Sequence, residues 1–457
     1  MRLFYSFLLL AWTAQAAAVD SIWTARYVVT MDAQHRIIEN GAIAVTGDHI
    51  VAVGTRAAID RDYQAKQRVD TSNAILAPGL INTHTHAAMS LFRGIADDMN
   101  LQDWLEKFIF PAEARNVDRE FVRWGTRLAA IEMALSGTTT YTDMYYFEET
   151  VAEATKEVGL RGVLGQTVIG FPAPDYKTPG ETLAGTERFF KTFANDPLIV
   201  PAVAPHAIYT VPDDVLKSCR ALANRYQKPL VIHVSETKHE NEEALAKRGK
   251  TPVGALESMG VLDGWTVAAH GVWLDDADMK ILKARGTGLA HCPSSNMMLA
   301  SGIAPVVKIL SLGIAMGLGT DGVAGSNNDH DMMEEMDLAA KLQKVANFDP
   351  TALTAETAFA MATIIGARAL HLDSMIGSIE SGKRADLISI RLDQPHAVPI
   401  YNVYSQLVYA LKASDVADVM VNGRAIVRDK KILTIDPAPV MAKAKEYQER
   451  VKKSLAR

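Results

Sequence analysis

Apolar residues in this chain fall into short runs, and several of those runs end on a histidine or an aspartate. Before about residue 75 the runs are of strand length and are separated by turn signals, as over residues 23–30, 41–45 and 49–54. That pattern belongs to short β-strands with tight connections. It returns near the other end of the chain, over residues 385–390, 416–421 and 424–428. Together the two stretches predict one small β-sandwich domain built from both chain ends, residues 19–76 and 373–457, closing with a charged helix over 440–455.

Residues 77–372 read differently. Apolar strands alternate there with helical segments such as 121–136, 150–158, 213–226 and 331–345. Strand followed by helix, repeated about eight times, predicts an α/β fold of the (β/α)8 barrel type rather than a doubly wound sheet. One strand begins near Ala74 and closes on His84 and His86; residues 137–143, 162–169 and 199–206 are read as the second, third and fourth. Residues i and i+2 of a strand point the same way, so His84 and His86 are placed to grip one ion. The runs over 229–236, 266–271 and 313–322 deliver His233, His270 and Asp321 at their carboxyl ends. In a barrel that end is the catalytic face, where converging polar residues suit metal chemistry. Taken singly, each polar terminus could equally be a hydrogen-bonded core or loop residue.

The length of 457 residues, with 48% apolar and 22% charged, accommodates such a barrel and a second domain. A net charge of −6 and the lack of any basic cluster with interleaved aromatics argue against a nucleic-acid partner. Two cysteines, Cys219 and Cys292, imply no disulfide framework, and Cys292 reads as a buried thiol rather than a ligand. At the amino end, Arg2 precedes an apolar run over 3–12 followed by small residues at cleavage-type spacing. Residues 1–18 therefore read as a signal peptide, which would place the mature protein in the periplasm or outside the cell; an upstream start codon or a tail would leave it cytoplasmic. The run is too short to span a bilayer, so no stable membrane insertion is expected.

Seven motifs in one order resemble the amidohydrolase superfamily, in its aminohydrolase branch of 5′-methylthioadenosine/S-adenosylhomocysteine deaminases and related chlorohydrolases. They are Pro78-Gly-Leu-Ile-Asn-Thr-His-Thr-His86, Ala204-Pro-His206, His233-Val-Ser-Glu236, Ala269-His270, His291-Cys-Pro-Ser-Ser-Asn296, Thr320-Asp321 and Gly382-Lys-Arg-Ala-Asp386. The resemblance implies that His84, His86, His233 and Asp321 hold one divalent metal, with zinc preferred and iron or manganese compatible with the same ligands. His206 stands where binuclear members place a bridging ligand, which favours a mononuclear site.

Three imidazoles and one carboxylate leave an open position for water, whose pKa falls from about 15.7 toward 7 on such an ion. Attack at C6 of an adenine needs a proton at ring N1. Glu236 is placed to give it and to help ammonia leave, while His270 and Asp321 orient and deprotonate the water. The resemblance assigns Glu113 to the two ribose hydroxyls, Trp104 to packing beside the nucleoside and His206 to a substrate contact. Read without it, residues 101–113 are an amphipathic helix with Trp104 in the core and Glu113 facing solvent. His330 reads either as a group behind Asp321 or as a surface residue at a helix start.

One departure bears on substrate. Adenosylhomocysteine-type members often carry arginines after the third strand, but residues 162–187 offer Gln166, Lys177 and no arginine. This points to 5′-methylthioadenosine or adenosine ahead of S-adenosylhomocysteine, since a lysine lacks the bidentate fork. The expected partner is thus a small nucleoside, and the branch implies a homo-oligomer. Two other readings stay open: hydrolysis of a guanine- or triazine-type heterocycle, and an exported nucleoside- or metal-binding protein without turnover. A ribose-reading Glu113 argues against the first, and Glu236 and His270 argue against the second, because binding alone needs no proton shuttle.

Overall fold

The computed structural model describes residues 16–456. Most of the expected signal segment therefore lies outside the described residues, although Ala17 and Ala18 already belong to the first strand. In chain order the strands are β1 (Ala17–Val29), β2 (Ile37–Thr46), β3 (His49–Thr55), β4 (Tyr63–Pro78), β5 (Leu80–Thr85), β6 (Thr138–Tyr145), β7 (Arg161–Val168) and β8 (Ile199–Pro205). They continue with β9 (Leu230–Val234), β10 (Thr266–His270), β11 (Gly288–His291), β12 (Met316–Leu318), β13 (Leu387–Arg391), β14 (Val416–Val421), β15 (Arg424–Arg428) and β16 (Lys431–Ile432). Strands β5 to β12 close into a parallel barrel in sequence order, the ring being sealed where Leu318 of β12 pairs with Asn82 of β5. Every residue of β5, β9, β10, β11 and β12 is buried, which is why none of these strands shows the inward–outward alternation of a half-exposed sheet.

The remaining strands form one mixed sheet in the order β16-β15-β14-β13-β4-β1-β2-β3, so the two chain ends do build a single domain. The sheet folds over on itself: Trp23, Ile43, Leu76, Leu387 and Met420 share one core, and the turn at Gly47 and Asp48 meets Gly423. The closing helix runs Pro437–Leu455 and packs Tyr447 against Phe121 of the barrel helix Arg119–Leu135.

One expectation needs correction. The strand read as continuous from Ala74 to His86 is two strands serving two domains. Its first half pairs with β1 and β13, and its second joins the barrel. Pro78-Gly79 is the break; Pro78 offers no backbone N–H, and a Cβ on Gly79 would stand 2.1 Å from the Thr139 hydroxyl. The two domains are also pinned by a buried ion pair. Arg161, at the start of β7, donates to both carboxylate oxygens of Asp386 at 3.2–3.3 Å and to the Pro197 carbonyl at 2.8 Å. Asp386 in turn accepts the Asn422 N–H at 2.6 Å, while its carbonyl accepts that of Gly79. The last of the seven motifs therefore ties the sheet to the barrel. No described helix is long and apolar enough to cross a membrane.

Candidate active site

His84 is the next-to-last residue of β5, His86 immediately follows that strand, His233 lies in β9, and Asp321 comes three residues after β12. Their ligand atoms lie within 4.8 Å of one another. Asp321 Oδ1 stands 3.3 Å from His84 Nε2 and 3.2 Å from His86 Nε2, and the Nε2 atoms of His86 and His233 are 3.4 Å apart. The outer nitrogens explain this orientation. Nδ1 of His86 is 2.7 Å from the Met144 carbonyl and Nδ1 of His233 is 2.8 Å from that of His206, so both rings donate outward and turn their Nε2 atoms toward each other. Neither ring nitrogen of the buried His84 has a hydrogen-bond partner. Three imidazoles gathered round a carboxylate suit a divalent cation, and these four residues would hold it.

Burial lowers His84 to about 4 and His233 well below the ordinary histidine range. Burial acts most strongly and against charge on His86, but the bond to Asp321, the charges of Asp321 and Asp143 and the Met144 carbonyl together outweigh it and raise His86 to about 9. Desolvation opposes the Asp321 charge too, yet His84 and His86 hold its pKa far below the usual value. The other carboxylate oxygen of Asp321 accepts the Ser295 hydroxyl at 2.6 Å.

Glu236 and His270 face each other beside this cluster, with Glu236 Oε2 3.6 Å from His270 Nε2, which is itself 4.0 Å from Asp321 Oδ2. Burial pushes the Glu236 carboxyl well above the ordinary range, which favours its protonated form, and burial lowers His270, which favours its neutral form. A buried neutral acid and a buried neutral base side by side suit proton transfer. His270 Nδ1 is bound to Asn296 Oδ1 at 3.1 Å, leaving Nε2 toward the cleft. Three residues here adopt left-handed backbone conformations unusual for non-glycines: Ser235 at φ 52°, His270 at 73° and Asp321 at 62°.

Above the cluster opens a cleft of about 560 Å³, its mouth included, whose walls include Trp104, Glu113, Tyr145 and His206. The segment carrying Trp104 and Glu113 is helical, as its periodicity suggests, but Glu113 is buried and faces the cleft, not solvent. Trp104 Nε1 donates to the Ala324 carbonyl at 2.9 Å. A wide π turn over Trp104–Ile109 feeds into the helix Phe110–Asn116 that bears Glu113. Burial pushes Glu113 up to about 7, against the tyrosine bonds that draw it down. His206 is a neutral ring lowered to about 3 by burial, with Nδ1 2.9 Å from Thr210 Oγ1. His330 is no surface residue: it is fully buried, 3.2 Å from the hydroxyl of Thr320 and 3.0 Å from that of Ser90, and so braces the residue before Asp321. Cys219 and Cys292 are free and buried.

Several supporting residues escaped sequence reasoning. Ser295 and Asn296 stood in a quoted motif without a role, whereas Tyr145 and Tyr146 carried no signal at all. Glu240 forms the pattern Thr237-x-x-Glu240, which reads as a helix-start cap. Its carboxylate instead accepts the backbone N–H groups of Ser235 at 3.1 Å and Glu236 at 2.7 Å.

Comparison with known proteins agrees with this geometry. The amidohydrolase family model matches residues 75–426. The chain is 46% identical over 437 residues to 5-methylthioadenosine/S-adenosylhomocysteine deaminase 1 of Syntrophus aciditrophicus, covering 96% of this chain and 98% of that one. It is also 46% identical to a 5-methylthioadenosine/S-adenosylhomocysteine deaminase of Thermodesulfovibrio yellowstonii, covering 94% and 98%. Among solved structures it resembles an adenosine deaminase from Xanthomonas campestris with bound zinc, at a TM-score of 0.94 and 36% identity over 96% of this chain and all of that one. With the barrel, the histidine–aspartate cluster and these likenesses in agreement, the chain belongs to the amidohydrolase family.

Proposed function

We propose that this protein is a metal-dependent hydrolytic deaminase that converts a 5′-substituted adenosine to the corresponding inosine and ammonia. The observation that carries the reading is Glu236 facing His270 at 3.6 Å beside the cluster of three histidines and Asp321. His84, His86, His233 and Asp321 would hold a divalent ion, for which zinc is the choice in view of the bound zinc of the Xanthomonas campestris structure. Such an ion, when bound, lowers the pKa of water and so supplies a hydroxide-like nucleophile near neutral pH.

The chain's own groups then divide the work. Protonated Glu236 gives its proton to purine N1 as the adduct forms at C6. His270, neutral and held through Nδ1 by Asn296, takes a proton from the attacking water together with Asp321. N1 keeps that proton in the inosine product; Glu236 then takes up one of the attacking water's two protons and passes it to the departing amine, and the other restores its acid form. Trp104 lies along the nucleoside, His206 contacts it, and Glu113 accepts the 2′ and 3′ hydroxyls.

The lining also bears on the 5′ group. No lysine or arginine is among the described residues of the cleft wall, while Leu101, Leu105, Ile109 and Phe110 are. Gln166 is bound to Asp175 at 2.9 Å, and the exposed Lys177 ammonium donates to the Ala173 carbonyl at 2.8 Å. This wall suits a small apolar 5′ substituent or none, and 5′-methylthioadenosine and adenosine are the proposed substrates ahead of S-adenosylhomocysteine. Ammonia release by the zinc-loaded protein from these three, guanine and a chlorinated triazine is the test. Turnover confined to ribosides is the expected result, and activity only on a free base or triazine would overturn it. We further propose that residues 1–18 direct export; an intact amino terminus on protein recovered from the native cytoplasm would refute that.

A further inference from the structure

Glu113 is a buried carboxylate in a cleft wall with no lysine or arginine among the described residues, and its hydrogen-bond donors there are both phenols. Tyr145 Oη donates to Oε1 at 2.7 Å and Tyr146 Oη to Oε2 at 3.3 Å. All three side chains are nearly sequestered, with relative exposures of 4% for Glu113, 3% for Tyr145 and 5% for Tyr146. The two tyrosines are consecutive, and both reach the same carboxylate because the chain bends as β6 ends; their rings lie 4.9 Å apart and tilted by 48°. That bend is fixed in turn. Glu148 accepts the Tyr145 N–H at 2.8 Å, and Asp175 accepts the N–H of Phe147 at 2.9 Å.

An ionised carboxylate offers about four acceptor positions. One phenol on each oxygen fills two of them and fixes the plane of the group. One position on each oxygen remains, and Glu113 forms part of the cleft wall. Two parallel acceptors held in a rigid plane match two adjacent hydroxyl donors, and an unmet acceptor in a buried site is costly.

Resting on the deaminase reading, we propose that Tyr145 and Tyr146 are positioning residues that hold Glu113 as the reader of a vicinal diol and thereby set the preference for ribosides over sugars lacking the 2′ and 3′ hydroxyls. Removing either phenol frees the carboxylate to rotate away from the sugar while the cluster around Asp321 is untouched, so the loss enters through KM rather than kcat.

The test compares adenosine with 2′,3′-dideoxyadenosine for the wild type, Tyr145→Phe, Tyr146→Phe and the double variant. The ratio of the two kcat/KM values should fall about 10- to 100-fold in the double variant, the size expected for a hydrogen bond to a charged group. The fall should come from a raised KM for adenosine, with Tyr145→Phe costing more than Tyr146→Phe because its bond is shorter. A ratio held within about twofold of wild type, or a loss confined to kcat, would overturn the proposal. A merely structural role for the phenols would depress both substrates together and leave the ratio alone. Should the double variant not fold, Tyr145→Phe alone decides by the same ratio. A wild type that releases ammonia from neither nucleoside would overturn the deaminase reading and this one with it; a wild type active on both but unaffected by the substitutions would overturn this one alone.

Discussion

Glu236 and Glu240 lie one helical turn apart and use buried carboxyl groups in opposite ways. Among the described residues no donor holds the Glu236 carboxylate and burial favours its protonated form, whereas Glu240 spends both oxygens on the N–H groups of Ser235 and Glu236. Replacing the first should remove the shuttle and leave the ligands in place. Glu236→Gln is expected to keep its metal, measured by elemental analysis, and to lose about 10²- to 10⁴-fold in turnover. Near-normal turnover would refute the assignment. Glu335 supports a different corner of the site, accepting from Asn327 Nδ2 at 3.1 Å and the Ser294 N–H at 3.2 Å. Burial pushes it up to about 8, despite the Ser294 bonds that draw it down. An acid whose folded pKa exceeds its unfolded one, about 4.3, binds its proton more tightly when folded, so stability is full at low pH and declines as pH rises through that interval. Between about pH 5 and 8 the wild-type Tm should fall more steeply than that of Glu335→Gln; parallel curves would show that Glu335 does not titrate in that interval. At this scale the ligands were legible because a strand end announces them. Tyr145, Tyr146 and Ser295 were not, since each acts through a partner brought near only by the closed ring.

Elements deliver the ligands, so their spacing sets the site. Strands β12 and β5 meet with little room to spare: a Cβ added to Gly319, just past β12, would stand 2.8 Å from the His84 nitrogen and 3.0 Å from its Cβ. Gly319→Ala should therefore push β5 outward, costing about 1–3 kcal/mol of stability in urea titrations and reducing bound metal. Unchanged metal content would show that β5 yields elsewhere. Strands and helices of the barrel were readable within a few residues, because full burial leaves unbroken apolar runs and helices keep their period. The join between β4 and β5 was missed for the same reason, since an apolar run says nothing about which neighbour it pairs with. The segment around Trp104 was read as a helix, but periodicity alone turned Glu113 toward solvent, and only the packed cleft explains why a carboxylate is inside.

At the scale of the whole molecule, the barrel and the sheet are one hydrogen-bonded unit. The pair formed by Arg161 and Asp386 is nearly inaccessible, at 1% and 3% side-chain exposure, so removing one partner strands a charge in the interior. Asp386→Ala should cost about 3–5 kcal/mol in denaturant unfolding, and Arg161→Met together with Asp386→Leu should recover much of it. A cost below about 1 kcal/mol would mean that water reaches the pair. That both chain ends share a sheet was legible in their common strand grammar. The order of its strands was not, because pairing across the length of the chain leaves no local mark. This pairing has a consequence for how the protein comes into being. β4, which leads directly into His84, is flanked in the sheet by β13, and the ring closes only when β12 reaches β5. On the ribosome His84 and His86 emerge early, His233 midway and Asp321 late, and the sheet beside the barrel is finished only when the last part of the chain has been made. The nascent protein thus carries two histidines on a strand that is paired with β6 on one edge and open on the other until β12 arrives, so the full set of ligands comes together only late in translation.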